Sequence, residues 1–153
     1  MSIDIKRILF EMDMHISEDL LKESQISLQG VEGNYDPLYG TGRLEKVNHK
    51  EEQFCIHNFP RMAYTNAILE SLGMFRARIM RMKPKSCYTY HQDPTMRMHI
   101  PLVTNDHCFI IIDDIVHRYP ADGNSYLVDT TKMHTAVNAS REVRIHIVGC
   151  VDN

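Results

Sequence analysis

The run Tyr88-Thr89-Tyr90-His91-Gln92-Asp93 sets an imidazole two residues before a carboxylate, and His134 stands far along the chain. Two histidines and one carboxylate form the facial set that holds non-haem Fe(II) and leaves positions open for a cosubstrate and O2. Structural zinc would favour four protein ligands, usually with sulfur among them. On a regular strand, residues two apart share a face, so His91 and Asp93 can chelate one ion from a single strand end. A lone His-x-Asp specifies little by itself. Arg144, ten residues beyond His134, adds a cation in an apolar run, where the far carboxylate of a dicarboxylate such as 2-oxoglutarate could be held.

The segment Val143-Arg144-Ile145-His146-Ile147-Val148 alternates. Arg144, His146 and Val148 therefore share one face, and Ile145 and Ile147 the other. Either face fits the interior, so the alternation leaves the direction of Arg144 open. An inward arginine needs an anionic partner, because an unpaired buried charge is expensive. The same reasoning covers Arg97, two residues before His99 in Met96-Arg97-Met98-His99-Ile100-Pro101-Leu102. A surface or ion-paired role is the alternative for either arginine.

These residues must be positioned by the elements around them. Phe75–Ile79, Cys87–His91, Arg97–Val103, His107–Ile112, Val116–Tyr119, Ser125–Val128, Thr135–Asn138 and Val143–Val151 read as short extended segments separated by Gly, Pro, Asn and Asp. Many closely spaced strands with no helical pattern among them predict an all-β sandwich or barrel. The N-terminal half reads differently. Tyr64, Ala67, Ile68 and Leu72 recur at helical spacing, which predicts a helix over Arg61–Leu72 with Pro60 at its start and Gly73 as its C-terminal cap. Ser17 followed by Glu18-Asp19-Leu20-Leu21-Lys22 reads as a capped short helix, whereas Ile3–Met12 is ambiguous. Gln29–His49 is polar and rich in turn formers, a long surface loop whose Tyr35, Tyr39 and Arg43 suit a lid.

The chain has 153 residues, 43% hydrophobic and 24% charged, which fits a single domain (1–153) with a real core. Residues 1–73 are expected to supply helical and loop support and the substrate entrance, and 74–153 the β core. A net charge of −3 without basic clusters argues against a nucleic-acid partner. No apolar run approaches the ~20 residues that span a bilayer. The N-terminus lacks a signal-peptide pattern, so the expected location is cytoplasmic. Cys55, Cys87, Cys108 and Cys150 form no Cys-x-x-Cys pair and read as reduced, mostly buried thiols. The methionine surplus, ten in all, suits core filling.

Several motifs in order carry a resemblance: Arg78-Ile79-Met80-Arg81-Met82-Lys83-Pro84, Tyr90-His91-Gln92-Asp93-Pro94, Arg97-Met98-His99-Ile100-Pro101-Leu102, Gly123, Asp129, His134-Thr135-Ala136-Val137-Asn138 and Arg144-Ile145-His146-Ile147-Val148. From Arg76 to Val151 the chain resembles the aspartyl/asparaginyl β-hydroxylase family of Fe(II) and 2-oxoglutarate dependent oxygenases. The resemblance implies a double-stranded β-helix, the cupin-like jelly roll, with a few N-terminal helices packed outside. It implies His91, Asp93 and His134 as metal ligands and Arg144 as partner of the C5 carboxylate of 2-oxoglutarate. Arg97 and His99 resemble residues near the other end of that cosubstrate or the metal, and Asp129 and Asn138 residues that order the turns around His134.

The implied reaction consumes O2 and 2-oxoglutarate and hydroxylates a C–H bond of an amino-acid side chain in a peptide, a protein or a free amino acid. Two other readings stand beside it: a cupin-like binding or sensor module without turnover, and a cupin metal enzyme that does not use 2-oxoglutarate.

Overall fold

Period-two alternation in the second half of the chain becomes two facing antiparallel sheets. The computed structural model describes residues 1–152, apart from the side chain of Lys46. In chain order the elements are α1 (Ile5–His15), β1 (Gln25–Ser27), β2 (Gln29–Gly30), β3 (Ile56–His57), α2 (Ala63–Ser71), β4 (Phe75–Met82), β5 (Ser86–Cys87), β6 (Arg97–Val103), β7 (Cys108–Ile112), β8 (Ile115–His117), β9 (Tyr126–Val128), β10 (His134–Asn138) and β11 (Arg144–Cys150). The larger sheet runs β1-β4-β11-β6-β9 and the smaller β5-β10-β7-β8, while β2 and β3 pair separately. This is a mainly β jelly roll of the cupin type, as the resemblance implied. The first part of the chain supplies β1 as an edge strand of the larger sheet as well as both helices.

The helices cover the outer face of the larger sheet. Ile8 and Met12 of α1 and Ile68 and Leu69 of α2 join Ala77, Ile79, Ile100, Leu102 and Ile147 in one hydrophobic cluster. Ile3–Met12, ambiguous in sequence, lies largely within α1, started by Asp4, whose carboxylate accepts the Arg7 N–H at 3.1 Å. The helix expected over Arg61–Leu72 forms over Ala63–Ser71. Its start is fixed by Glu11 of α1, whose carboxylate accepts the N–H groups of Tyr64 and Thr65 at 3.0 and 2.8 Å. A carboxylate at a helix N-terminus satisfies orphan donors and favours the dipole. The short helix expected after Ser17 is a single 3-10 turn, Leu20–Lys22, with the Ser17 hydroxyl accepting the Leu20 N–H at 3.2 Å.

The 29–49 segment is mostly loop, with β2 at its start and a 3-10 turn at Leu44–Lys46. It is packed down. Tyr39 donates to or accepts from His49 Nδ1 at 2.6 Å and stacks on Phe54, which is fully buried. Gly40, at φ 76°, lies against the Phe54 ring where a Cβ would stand 2.2 Å away, so only glycine fits.

Candidate metal and anion site

Between the sheets lies a cavity of about 870 Å3. Three side chains on its wall converge. His91 follows β5 and pairs with His134, the first residue of β10, through two backbone hydrogen bonds of 3.0 and 2.9 Å. The Asp93 N–H donates to the Thr130 carbonyl at 2.8 Å, which ties the same segment to the approach to β10. One ligand atom from each of His91, Asp93 and His134 lies within 4.8 Å of the others. Asp93 Oδ1 is 3.6 Å from His91 Nε2, and Oδ2 is 3.4 Å from His134 Nε2.

The tautomers suit metal binding. His91 Nδ1 lies 2.7 Å from the Thr89 carbonyl and His134 Nδ1 2.9 Å from the Lys132 carbonyl. A carbonyl only accepts, so each Nδ1 donates, which leaves each Nε2, on the side of Asp93, as the atom free to bind a metal. Atoms bound at about 2.1 Å and at right angles stand roughly 3 Å apart, close to the spacing here. The donor set, two imidazoles and a carboxylate, fits a non-haem metal with open coordination positions. Burial alone would raise the Asp93 carboxyl, but His134 and Arg97 outweigh it and hold the group below its ordinary value. His134 is pushed down by burial and up, more strongly, by Asp93 and the Lys132 carbonyl, so its net shift is upward.

Arg144, which the alternation left undecided, faces the cavity. It is 2% exposed, its Nε has no hydrogen-bond partner, and among the described residues no carboxylate pairs with it. Both faces of β11 are buried, which is why the pattern alone could not orient it. Ile147 enters the core beneath the helices, and Arg144 and Val148 line the cavity.

Arg97 and His99 also line the cavity, but their neighbours differ. Arg97 is tied to Glu51 Oε2 at 3.0 Å, to Cys150 Sγ at 3.0 Å and to the Thr95 hydroxyl, and its Nε stands 3.6 Å from Asp93 Oδ2. It thus bridges the 3-10 turn Glu51–Gln53 to the Asp93 carboxylate. His99 Nδ1 meets His146 Nδ1 at 3.0 Å, one donating and the other accepting. Burial, with Arg144 and Arg97 nearby, pushes His99 down to about 3. Burial and Arg144 likewise push His146 well below its ordinary value. The pair is neutral at physiological pH.

The turn residues take separate parts. Asp129 accepts from the Thr131 N–H at 3.3 Å and from its hydroxyl, just before His134. Asn138 instead clamps the far end of β10, donating to the carbonyls of Met82, Lys83 and Glu142 at 3.0, 3.2 and 2.8 Å. Of the four free cysteines, Cys108 and Cys150 are buried, whereas Cys55 and Cys87 are exposed, contrary to the expectation of mostly buried thiols. Cys55 directly precedes β3 and Cys87 ends β5, both at the margins of two-residue strands.

Sequence reasoning missed Glu51, Arg76 and Gln25, and it gave Arg78 no role. Glu51 Oε2 also accepts from Arg76 Nη1 at 2.8 Å, and Arg76 holds the Gly40 and Gly42 carbonyls at 3.0 and 2.5 Å. Arg76 has φ 49° beside an irregularity in the β4–β11 register, where a bulge re-aims a side chain. The available signal was the alternation Arg76-Ala77-Arg78-Ile79, which repeats the polar–apolar rhythm of β6 and β11.

A profile of the aspartyl/asparaginyl beta-hydroxylase family matches residues 31–152. The chain belongs to that family. No curated protein sequence is recognisably similar to it. Among solved structures, similar ones are the plu4264 protein of Photorhabdus luminescens (16% identity, 50% of this chain and 62% of that one, TM-score 0.43) and a cupin domain of Bordetella pertussis (14%, 51% and 81%, TM-score 0.44). The chain thus spans about three fifths of the first of these. Relative to the motif-based resemblance, which began at Arg76, the family match adds residues 31–75, and these include Glu51. Among the described residues, no helix is long and apolar enough to cross a membrane.

Proposed function

We propose that this chain is an Fe(II) and 2-oxoglutarate dependent oxygenase that hydroxylates a C–H bond of an amino-acid side chain in a peptide, a protein or a free amino acid. The observation that carries the reading is one cavity that holds both a His-Asp-His ligand set and a buried, uncompensated arginine. A metal takes one need and a dicarboxylate the other. With Fe(II), 2-oxoglutarate and O2 bound, such a centre couples decarboxylation of the cosubstrate to succinate and CO2 with insertion of the second oxygen atom into the substrate C–H bond.

The chain's own residues then have distinct tasks. His91, Asp93 and His134 would hold the metal, with the Nδ1–H of each histidine donated to a backbone carbonyl. Arg144 pairs with the far carboxylate of the cosubstrate through its planar fork. Arg97 steadies Asp93 from behind, anchored by Glu51. Met80, Ile110, Ala136 and Val148 supply apolar wall that limits water around the reacting atoms. Asp93 would fill the coordination position that a halide needs, which favours hydroxylation over halogenation. The exposed free thiols of Cys55 and Cys87 suit a reducing, cytoplasmic setting.

The test is succinate release by purified protein supplied with Fe(II), 2-oxoglutarate and candidate amino acids or peptides. Turnover above the metal-free background is expected, and His134→Ala is expected to abolish both iron binding and turnover. Iron bound with no succinate formed from any candidate would count against the proposal.

A further inference from the structure

Four arginines are buried among the described residues, Arg76, Arg78, Arg97 and Arg144, and all four line the one cavity. Their charges are not equally answered. Arg76 and Arg97 share Glu51, and Arg97 also stands beside Asp93. Arg144 receives the cosubstrate under the oxygenase proposal. Arg78 has no carboxylate partner among the described residues. Its single hydrogen bond there runs from Nη1 to the neutral Gln25 Oε1 at 3.0 Å. Its Nε is buried and unpaired.

Position separates Arg78 from Arg144. In the larger sheet Arg78 pairs with Val148, which pairs with His99, whereas Arg144 pairs with Met82. Arg78 and Met82 lie four residues apart on β4, so the two cations are rooted roughly 13 Å apart along the cavity wall. The end carboxyl carbons of a five-carbon dicarboxylate stand at most about 5 Å apart, given bonds near 1.5 Å. A cosubstrate reaching from the metal to Arg144 leaves Arg78 without a counter-charge.

We infer that Arg78 and Gln25 form a second anion subsite that takes a carboxylate of the substrate. This rests on the oxygenase reading for the word substrate, but the subsite itself rests on the cavity. With Nη1 committed to Gln25, the Nε–Nη2 edge of Arg78 is the side-on edge that matches the two oxygens of a carboxylate. Gln25 Oε1 is occupied by Arg78 and by the Gly42 N–H at 2.8 Å, which leaves its Nε2 as a further donor. Burial, then the neighbouring Arg76 and Arg97, push Arg78 down to about 10, so the group stays charged at neutral pH. Glu51, drawn to Arg76 and Arg97, shows that this end of the cavity already stabilises one carboxylate. The substrate class is therefore an acid: a free amino acid held by its carboxylate, or a peptide held by an acidic group.

The test uses the full chain loaded with Mn(II) as a redox-inert ion. 2-Oxoglutarate is titrated first, then the common L-amino acids, each as the free acid and as its carboxamide, with and without the cosubstrate. Wild type is expected to bind at least one acid and to discriminate against its amide. Arg78→Gln should weaken that acid about tenfold or more and 2-oxoglutarate less than about twofold, with Arg78→Lys between. The thermal midpoint of each variant confirms folding. Equal binding of acid and amide, no acid bound by wild type, or a larger loss for 2-oxoglutarate than for the acid would overturn the subsite. If 2-oxoglutarate fails to bind metal-loaded wild type, the oxygenase reading falls, and the acid–amide comparison without cosubstrate still decides on Arg78.

Discussion

The two faces of the larger sheet are made from the same strands and do opposite work. The outer face carries Ala77, Ile79, Ile100, Leu102 and Ile147 and is sealed by α1 and α2. The inner face carries Arg76, Arg78, Arg97, His99, Arg144 and His146, every one of them buried. Burial on the outer face removes apolar surface from water and stabilises the fold. Burial on the inner face desolvates charge, which is costly unless a partner is present. Residues one apart on a strand thus separate stability from binding. Substitutions on the outer face should lower stability and spare ligand affinity, and those on the inner face the reverse.

The largest expected effect is on the outer face. Ile100→Ala removes a side chain that is fully buried and should cost about 4 kcal/mol in urea unfolding. The metal affinity of the molecules that remain folded should be unchanged.

Glu51 is where the contrast should break, because it lines the cavity from a 3-10 turn beside the inner face and has a structural task. Glu51→Gln leaves Arg76 without a carboxylate and Arg97 with Asp93 alone, and should cost about 3 kcal/mol. Burial pushes the Glu51 carboxyl up, but Arg97, Cys150 and Arg76 outweigh it and the net value lies below the ordinary 4.5. The carboxylate's contribution is therefore complete above that ordinary value and is lost as pH falls through the lower folded one. Wild type should lose stability faster than Glu51→Gln over that acid window, as read by chemical denaturation at stepped pH.

Arg144→Met sharpens the contrast in the other direction. It replaces an uncompensated buried charge with an apolar side chain of similar length, and unliganded stability should rise by about 1 kcal/mol. A calorimetric thermal midpoint below that of wild type would show a structural partner for Arg144 instead.

The smallest effect concerns the neutral His99–His146 pair. Both histidines have folded values pushed below the ordinary range. The unfolded chain therefore takes up protons that the folded state refuses, and stability should decline as pH falls below about 6.5. His146→Phe should flatten that slope by one proton's share.

The outline of this division is legible in the sequence. β6 occupies the predicted range Arg97–Val103, and the alternation around Arg144 marks two kinds of face. The direction of those faces is not legible, because helices bury one and a cavity buries the other, so polarity alone does not say which points outward. The triad residues His91, Asp93 and His134 stand out by type and spacing, and they converge. Glu51 stays hidden because its partners Arg76 and Arg97 are remote in sequence and it sits in a polar stretch with no periodicity. α1 is obscured by Glu11, a charge on the buried side of the helix that is satisfied only by the N-terminus of α2.

The most direct measurement titrates 2-oxoglutarate into Mn(II)-loaded wild type and into Mn(II)-loaded Arg144→Met, with metal content measured in both. Both proteins should hold the metal equally, and the variant should bind 2-oxoglutarate roughly 30-fold or more weakly, the loss expected when a buried charge partner is removed. Equal affinity for 2-oxoglutarate in the two proteins, or loss of metal along with it, would contradict the division of labour between His91, Asp93 and His134 on one side and Arg144 on the other.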